Sequence, residues 1–398
     1  MGYNFEDYVN RKATAAKKWE IMYMQNPNVD ADVVPLSVAD MEFRTAPEIT
    51  EGLKEYFSQE DLVLGYNGAT SEFYQAVIDW QLKRHKWSIK KEWIISTPGV
   101  VAAMYASVKA LTEPGDGVIV FKPVYHPFST AVTDNDRLEV NIPLLSIGED
   151  YFIDYEAFEA AAAKAENKVL LFCSPHNPVG RVWTKEELEK LADICIRHQL
   201  YIVSDEIWND LIMPGFEHTV LATVNPELTP YLITCTAATK SFNLAGLMVS
   251  SIIIEDASLR AKFENEIIKS HQNVINVTGF EATRIAYTKA EAWLDQVIDI
   301  INQNQKLVKS FFEINIPAIK AYPIQGTYVQ WIDCRALGMN DQALENFLHQ
   351  TAQFFPNQGY IFGQEGSGFI RINLALPADV LQTQLNRLLH AVNQLSIG

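Results

Sequence analysis

The chain has 398 residues, 48% of them hydrophobic and 20% charged, the balance of an ordinary folded protein too long for one compact core. Asp and Glu number 49 against 32 Lys and Arg, a formal charge of −17. That excess argues against nucleic acid or an anionic membrane surface as a default partner, and no apolar run is long enough to span a bilayer.

The N-terminal stretch "MGYNFEDYVNRKATAAKKWE" has no apolar signal segment, and Glu6 stands where a myristoylation signal carries Ser or Thr. Cys173, Cys195, Cys235 and Cys334 show no CxxC or metal-like spacing and read as reduced core thiols. A cytoplasmic protein is expected.

The middle of the chain alternates short apolar runs with helical patterns, which predicts an α/β fold with a mostly parallel sheet flanked by helices. "EWIIS" (92–96) ends at Thr97-Pro98-Gly99, and the helix-like "VVAAMYASVKAL" (100–111) follows. "GVIVF" (117–121) leads into "KPVYHPF", and "KVLLFC" (168–173) into "SPHNPVGRVW". Thr184 and Glu187 then form a capping box that opens the next helix. "LYIVS" (200–204) runs into Asp205, "YLITC" (231–235) into "TAATKSFNLAGL", and "SIIIE" (251–255) is a further strand.

Beyond about residue 257 the pattern turns to long helices, with "LRAKFENEIIKSHQ" the clearest. Two strands, "TYVQWID" (327–333) and "GFIRINLAL" (368–376), precede an amphipathic helix from Pro377. This predicts a large domain over 46–289 and a smaller α+β domain built from 1–45 and 290–398.

Gly99, Tyr125, Asn177, Asp205 and Lys240 all lie just after predicted strands, where open α/β sheets bind ligands. Each has a plain alternative. Gly99 is consistent with a helix start, Tyr125 with core packing, and Asn177 with a turn. Between Glu227 and Glu255, Lys240 is the lone Asp, Glu, Lys or Arg. Desolvation would lower its pKa and yield a neutral amine able to attack a carbonyl, whereas a surface lysine would snorkel to water. Asp205, if buried, needs a cationic partner or several donors.

Taken together the set suggests pyridoxal 5'-phosphate as cofactor. Lys240 would hold the aldehyde, Asp205 the ring nitrogen, and Tyr125 the ring face. Gly99 with the amides of Val100 and Val101, and the Thr236 and Thr239 hydroxyls, would hold the phosphate.

"SVADMEF", "GYNGAT", "TPGVVAAM", "SPHNPVGRVW", "SDEIWNDL", "TCTAATKSFNLAGL" and "GFIRINLALP" resemble, in order and spacing, the fold-type I enzymes of the class I/II aminotransferase superfamily. The likeness covers about 34–377. "VADMEF", and Met248 where aspartate-type enzymes carry a phosphate-binding arginine, favour the MalY/PatB-type C–S β-lyases.

The resemblance implies that Lys240 is the cofactor-binding lysine and the base for the substrate α-proton, with Tyr125 beside it in the catalytic centre. It pairs Asp205 with the pyridine nitrogen and places Asn177 beside the ring oxygen. Arg371 would clamp the substrate carboxylate, with Asn177, Val38 and Tyr66 also at the substrate. Tyr66 would further reach the phosphate of the cofactor in a neighbouring subunit, so a homodimer is expected. A strand salt bridge is the alternative for Arg371, on the alternating, half-buried pattern of Phe369, Arg371 and Asn373.

Two positions depart from the pattern. Trp208 stands where relatives carry His or Tyr near the cofactor, and Ala237 replaces a phosphate-binding hydroxyl for which Thr236 would substitute. The expected reaction is α,β-elimination on cystathionine, cysteine or a related sulfur amino acid, giving pyruvate, ammonia and a thiol. An aminotransferase acting on an α-amino acid and a 2-oxo acid is the alternative. A cofactor-binding regulator with a leading DNA-binding module is disfavoured, because the signature begins near residue 34.

Overall fold

The computed structural model describes residues 3–395; the Met1-Gly2 start and residues 396–398 of the expected small domain lie outside the described residues. Among the described residues the large sheet contains β1 (Ile94–Thr97), β2 (Gly117–Lys122) and β3 (Leu138–Pro143). A hairpin of β4 (Leu145–Ile147) and β5 (Asp150–Phe152) intervenes before β6 (Asn167–Cys173), β7 (Tyr201–Asp205), β8 (Leu232–Thr236) and β9 (Ser250–Ile253). The order across the large sheet is β1-β9-β8-β7-β6-β2-β3.

Strands β3, β2, β6, β7 and β8 pair in parallel in that order, and β9 is antiparallel to both of its neighbours. Residues 237–249, with the short helical turn Ala238–Ser241, link β8 to β9, and this segment stays at the carboxyl end of β8 instead of crossing a face of the sheet, so the chain re-enters antiparallel. The central strands are buried along most of their length because both faces are covered. Helices Val100–Leu111 and Ala257–Lys269 pack on one face, and Tyr155–Ala162 and Lys185–His198 on the other. The capping box at the start of Lys185–His198 is present in both directions.

The second sheet contains β10 (Lys320–Ala321), β11 (Val329–Asp333), β12 (Asn357–Gln358) and β13 (Phe369–Asn373), ordered β10-β11-β13-β12 and antiparallel. It shares a core with helices Lys17–Gln25, Glu291–Asn315 and Ala378–Leu395. Strand β13 was expected to be half-buried, but all five of its residues are buried. Ile370 and Ile372 enter the apolar core, while on the opposite face Asn373 donates into the "SVADMEF" segment and Arg371 donates to Asn177 and Asn357. No helix among the described residues is long and apolar enough to cross a membrane.

That segment, residues 37–43, together with Leu36 before it, is a strap between the two sheets. Leu36 donates to Phe355 O (2.9 Å) and Glu42 N–H to Ala375 O (2.8 Å). The Asn373 side chain donates to the carbonyls of Val38 (3.0 Å) and Asp40 (2.6 Å). Asn243, just beyond Lys240, grips Met41 through both its N–H (2.9 Å) and its carbonyl (3.0 Å).

Four charges lock the end of the strap. Lys18 lies 2.6 Å from Asp40 and 2.9 Å from Glu42; Arg11 lies 2.7 Å and 3.2 Å from the same two carboxylates. Lys18 and Glu42 are almost completely buried. Removing one partner of a buried pair leaves an uncompensated charge in low dielectric. Lys18→Met should therefore lower stability by about 3 kcal/mol, read as a fall in thermal midpoint. A variant as stable as the parent would show that Arg11 alone holds the strap.

Candidate active site

The carboxyl ends of β1, β2, β6, β7 and β8 point to one side of the sheet, and the strap crosses in front of them. Gly99 adopts φ +103°, a conformation disfavoured for side chains of L residues, as it turns into the helix Val100–Leu111. No side chain caps that helix, so the first-turn amides of Val100 and Val101 stay free to receive an anion. Tyr125 N–H donates to Asn177 O (3.1 Å), tying the ends of β2 and β6 together.

Lys240 does not snorkel outward. Its Nζ donates to Ala39 O (2.8 Å) in the strap and lies 5.5 Å from the centre of the Trp208 ring. Tyr328 Oη donates to the same carbonyl (2.8 Å) and packs edge-on against Trp208, 4.8 Å between centroids. Burial, then the field of Arg371, brings the Lys240 ammonium down to about 8, against the opposing pull of Asp40 and Asp205. Asp205 is buried at the end of β7 and accepts from Ile207 N–H (3.1 Å). Burial pushes its carboxyl up to about 7, although the Ile207 amide and Lys240 act the other way. A cation placed against it would restore the carboxylate.

Arg371 makes no salt bridge among the described residues. Its Nη1 donates to Asn177 Oδ1 (2.8 Å) and its Nη2 to Asn357 Oδ1 (2.6 Å), while Nε is buried without an acceptor. The guanidinium sits 4.7 Å from the centre of the Phe362 ring. Burial lowers its pKa to about 10. A buried guanidinium held by neutral amides is a receptor for an incoming carboxylate.

Lys240, Asp205, Asn177, Tyr125, Trp208, Arg371 and Val38 thus share one cleft, with Gly99, Val100 and Val101 at the end of β1. Thr239 is buried in the short turn that carries Lys240. Thr236 departs from expectation: its single hydroxyl proton goes to Ser251 O (3.1 Å) across the β8–β9 pairing, leaving none to donate to a phosphate. Tyr66 stands apart, 99% exposed, beside Asn67, Ile95 and Ser96. Met248 occupies a left-handed turn at the surface.

Sequence reasoning missed Tyr328, Asn357 and the Ala39 carbonyl. Asn373 was visible in the alternation of β13, two residues from Arg371, yet its grip on the strap was not. Asn357 carried no spacing signal; it meets Arg371 because the β12–β13 register sets the two directly opposite.

A model of the aminotransferase class I and II family matches residues 31–390. The chain belongs to that family. Cystathionine beta-lyase PatB of Bacillus subtilis is 35% identical to it over 98% of this chain and 100% of the relative. Protein MalY of Escherichia coli is 30% identical over 98% and 99% of the two chains. Among solved structures, cystalysin from Treponema denticola, which contains a pyridoxal 5'-phosphate cofactor, superposes with a TM-score of 0.98 at 47% identity. That match covers 99% of this chain and 100% of cystalysin.

The depressed Lys240 pKa has a direct consequence. The reactive neutral amine gains population as pH rises through the pKa, so half-maximal reactivity falls near that value. In protein freed of bound carbonyl compounds, trapping of Lys240 by an aromatic aldehyde and borohydride should be half-maximal near pH 8. Exposed lysines would reach that point at about 10.4. Peptide mass mapping reads the site, and a midpoint near that of exposed lysines would show that burial does not tune this amine.

Proposed function

We propose that the protein is a pyridoxal 5'-phosphate-dependent C–S β-lyase that converts cystathionine, cysteine or a related sulfur amino acid to pyruvate, ammonia and a thiol. The observation that carries this reading is the unneutralised Arg371 guanidinium in the same cleft as the lowered Lys240 amine. One receives a carboxylate, the other takes a proton from the adjacent carbon. The lyase branch is favoured by the likeness to PatB, a cystathionine beta-lyase, over nearly the whole chain.

The residues fit the cofactor. Lys240 would hold its aldehyde, and Asp205, kept dry at the end of β7, would face its ring nitrogen as the missing cationic partner. Tyr125 would cover the ring face, and Asn177 and Trp208 would flank the ring. The free amides of Val100 and Val101 after Gly99, with the Thr239 hydroxyl, would take the phosphate. When bound, the cofactor supplies an electron sink for the substrate α-carbon.

The protein groups do the rest. Arg371 fixes the substrate carboxylate and so orients the α-hydrogen. Lys240 Nζ removes that proton; burial and the field of Arg371 favour the neutral amine that can accept it. The C–S bond electrons leave with the thiolate, and hydrolysis of the remaining fragment gives pyruvate and ammonia. Tyr66 acts in a homodimer: with Val63, Leu64, Ile268 and Val274 it forms exposed apolar surface suited to a second copy, whose cofactor phosphate it would reach. The enzyme works in the cytoplasm.

Purified protein given cystathionine or cysteine should release pyruvate and thiol, and Lys240→Ala should abolish both. Arg371→Ala should raise KM by about tenfold or more, the worth of one charge-assisted contact. Transfer of the amino group to a 2-oxo acid without thiol release would make the protein an aminotransferase instead.

A further inference from the structure

Strands β12 and β13 place Asn357 directly across from Arg371. Its Oδ1 accepts two hydrogen bonds at once, from Arg371 Nη2 (2.6 Å) and from Val38 N–H (3.1 Å). Val38 has φ +57°, a left-handed conformation that is strained for a β-branched residue. Asn357 on its amide and Asn373 on its carbonyl (3.0 Å) hold it there. The next carbonyl along the strap, Ala39 O, is the acceptor for Lys240. One amide oxygen therefore fixes both the guanidinium and the strap.

The choice of an amide matters. A carboxylate at this position would form a close ion pair with Arg371 and compete with any substrate carboxylate. The chain carries 49 acidic residues, yet the two side chains that grip Arg371 are both asparagines. We propose that Asn357 is a positioning residue that aims Arg371 and the Val38 backbone together while leaving the guanidinium charge available to the substrate. This rests on the reading of Arg371 as the carboxylate clamp.

Asn357→Asp is nearly isosteric and tests the charge; Asn357→Ala tests the positioning. Propionate, a carboxylate without an amine, is titrated into the holoenzyme by calorimetry, and KM and kcat for the sulfur amino acid are measured beside it. N357D should weaken propionate binding and raise KM by about tenfold or more, with kcat within about twofold of the parent. N357A should raise KM and the propionate Kd by a smaller factor, about threefold, because the charge stays free while its aim loosens. A merely structural role would lower the thermal midpoint without this separation of KM from kcat. N357D with KM within about twofold of the parent overturns the inference. Arg371→Ala distinguishes the underlying reading: if it keeps the parent's KM and propionate affinity, the clamp itself is wrong, whatever the Asn357 variants do.

Discussion

The carbonyl of Ala39 joins the two sheets at the point where chemistry is possible. It accepts from Lys240 on the lysine turn and from Tyr328 beside β11, each at 2.8 Å. Everything around it serves to keep that carbonyl still. Asn373 and Asn243 hold the strap on either side, and the Arg11, Lys18, Asp40 and Glu42 cluster anchors its end. Without the strap, Lys240 and Asn373 would both lose their hydrogen-bond acceptors.

The cleft concentrates charged groups that do not neutralise one another. Lys240 and Asp205 feel each other's field yet form no ion pair among the described residues, and Arg371 bonds to amides alone. Close pairing would return both pKa values toward charged forms and leave nothing reactive. Separation costs stability, because each group is desolvated without full compensation. Such a site is most stable when a ligand carrying a cation and two anions fills it, and a cofactor–amino acid adduct has that distribution.

Much of this could be read along the chain, because strand ends are local features. "LYIVS" before Asp205 and "YLITC" before the lysine turn reveal the strands by composition, and topology then places their ends together. The lone charge of Lys240 was informative for the same reason. The strap was harder to read: its anchors lie far away in sequence, at Lys18, Asn243, Asn357 and Asn373, and no periodicity links them. β3 was missed because an edge strand reading "LEVNIP" carries charge and exposed positions where a central strand is apolar. Thr236 misled because residue type was visible and direction was not; its place opposite β9 turns the hydroxyl to Ser251.

Behind the cleft lies a second polar layer that explains why Asp205 and Lys240 are held so firmly. The residue after each turns inward. Glu206 accepts from Ser204 Oγ (2.9 Å) and Leu221 N–H (3.2 Å) and lies 2.8 Å from His218 Nε2. Ser241 donates to Asp210 (2.6 Å), which also receives Trp80 Nε1 (3.0 Å) and lies 2.8 Å from His85 Nε2. The two histidine rings meet edge to face at 5.8 Å, so the anchors of both functional residues are in contact. A buried carboxylate with three polar neighbours has one favourable placement, and moving it strands several groups at once. Neither segment can shift alone. The distance between the amine and the carboxylate is thus set from the core side, while the strap sets the amine's direction from the cleft side.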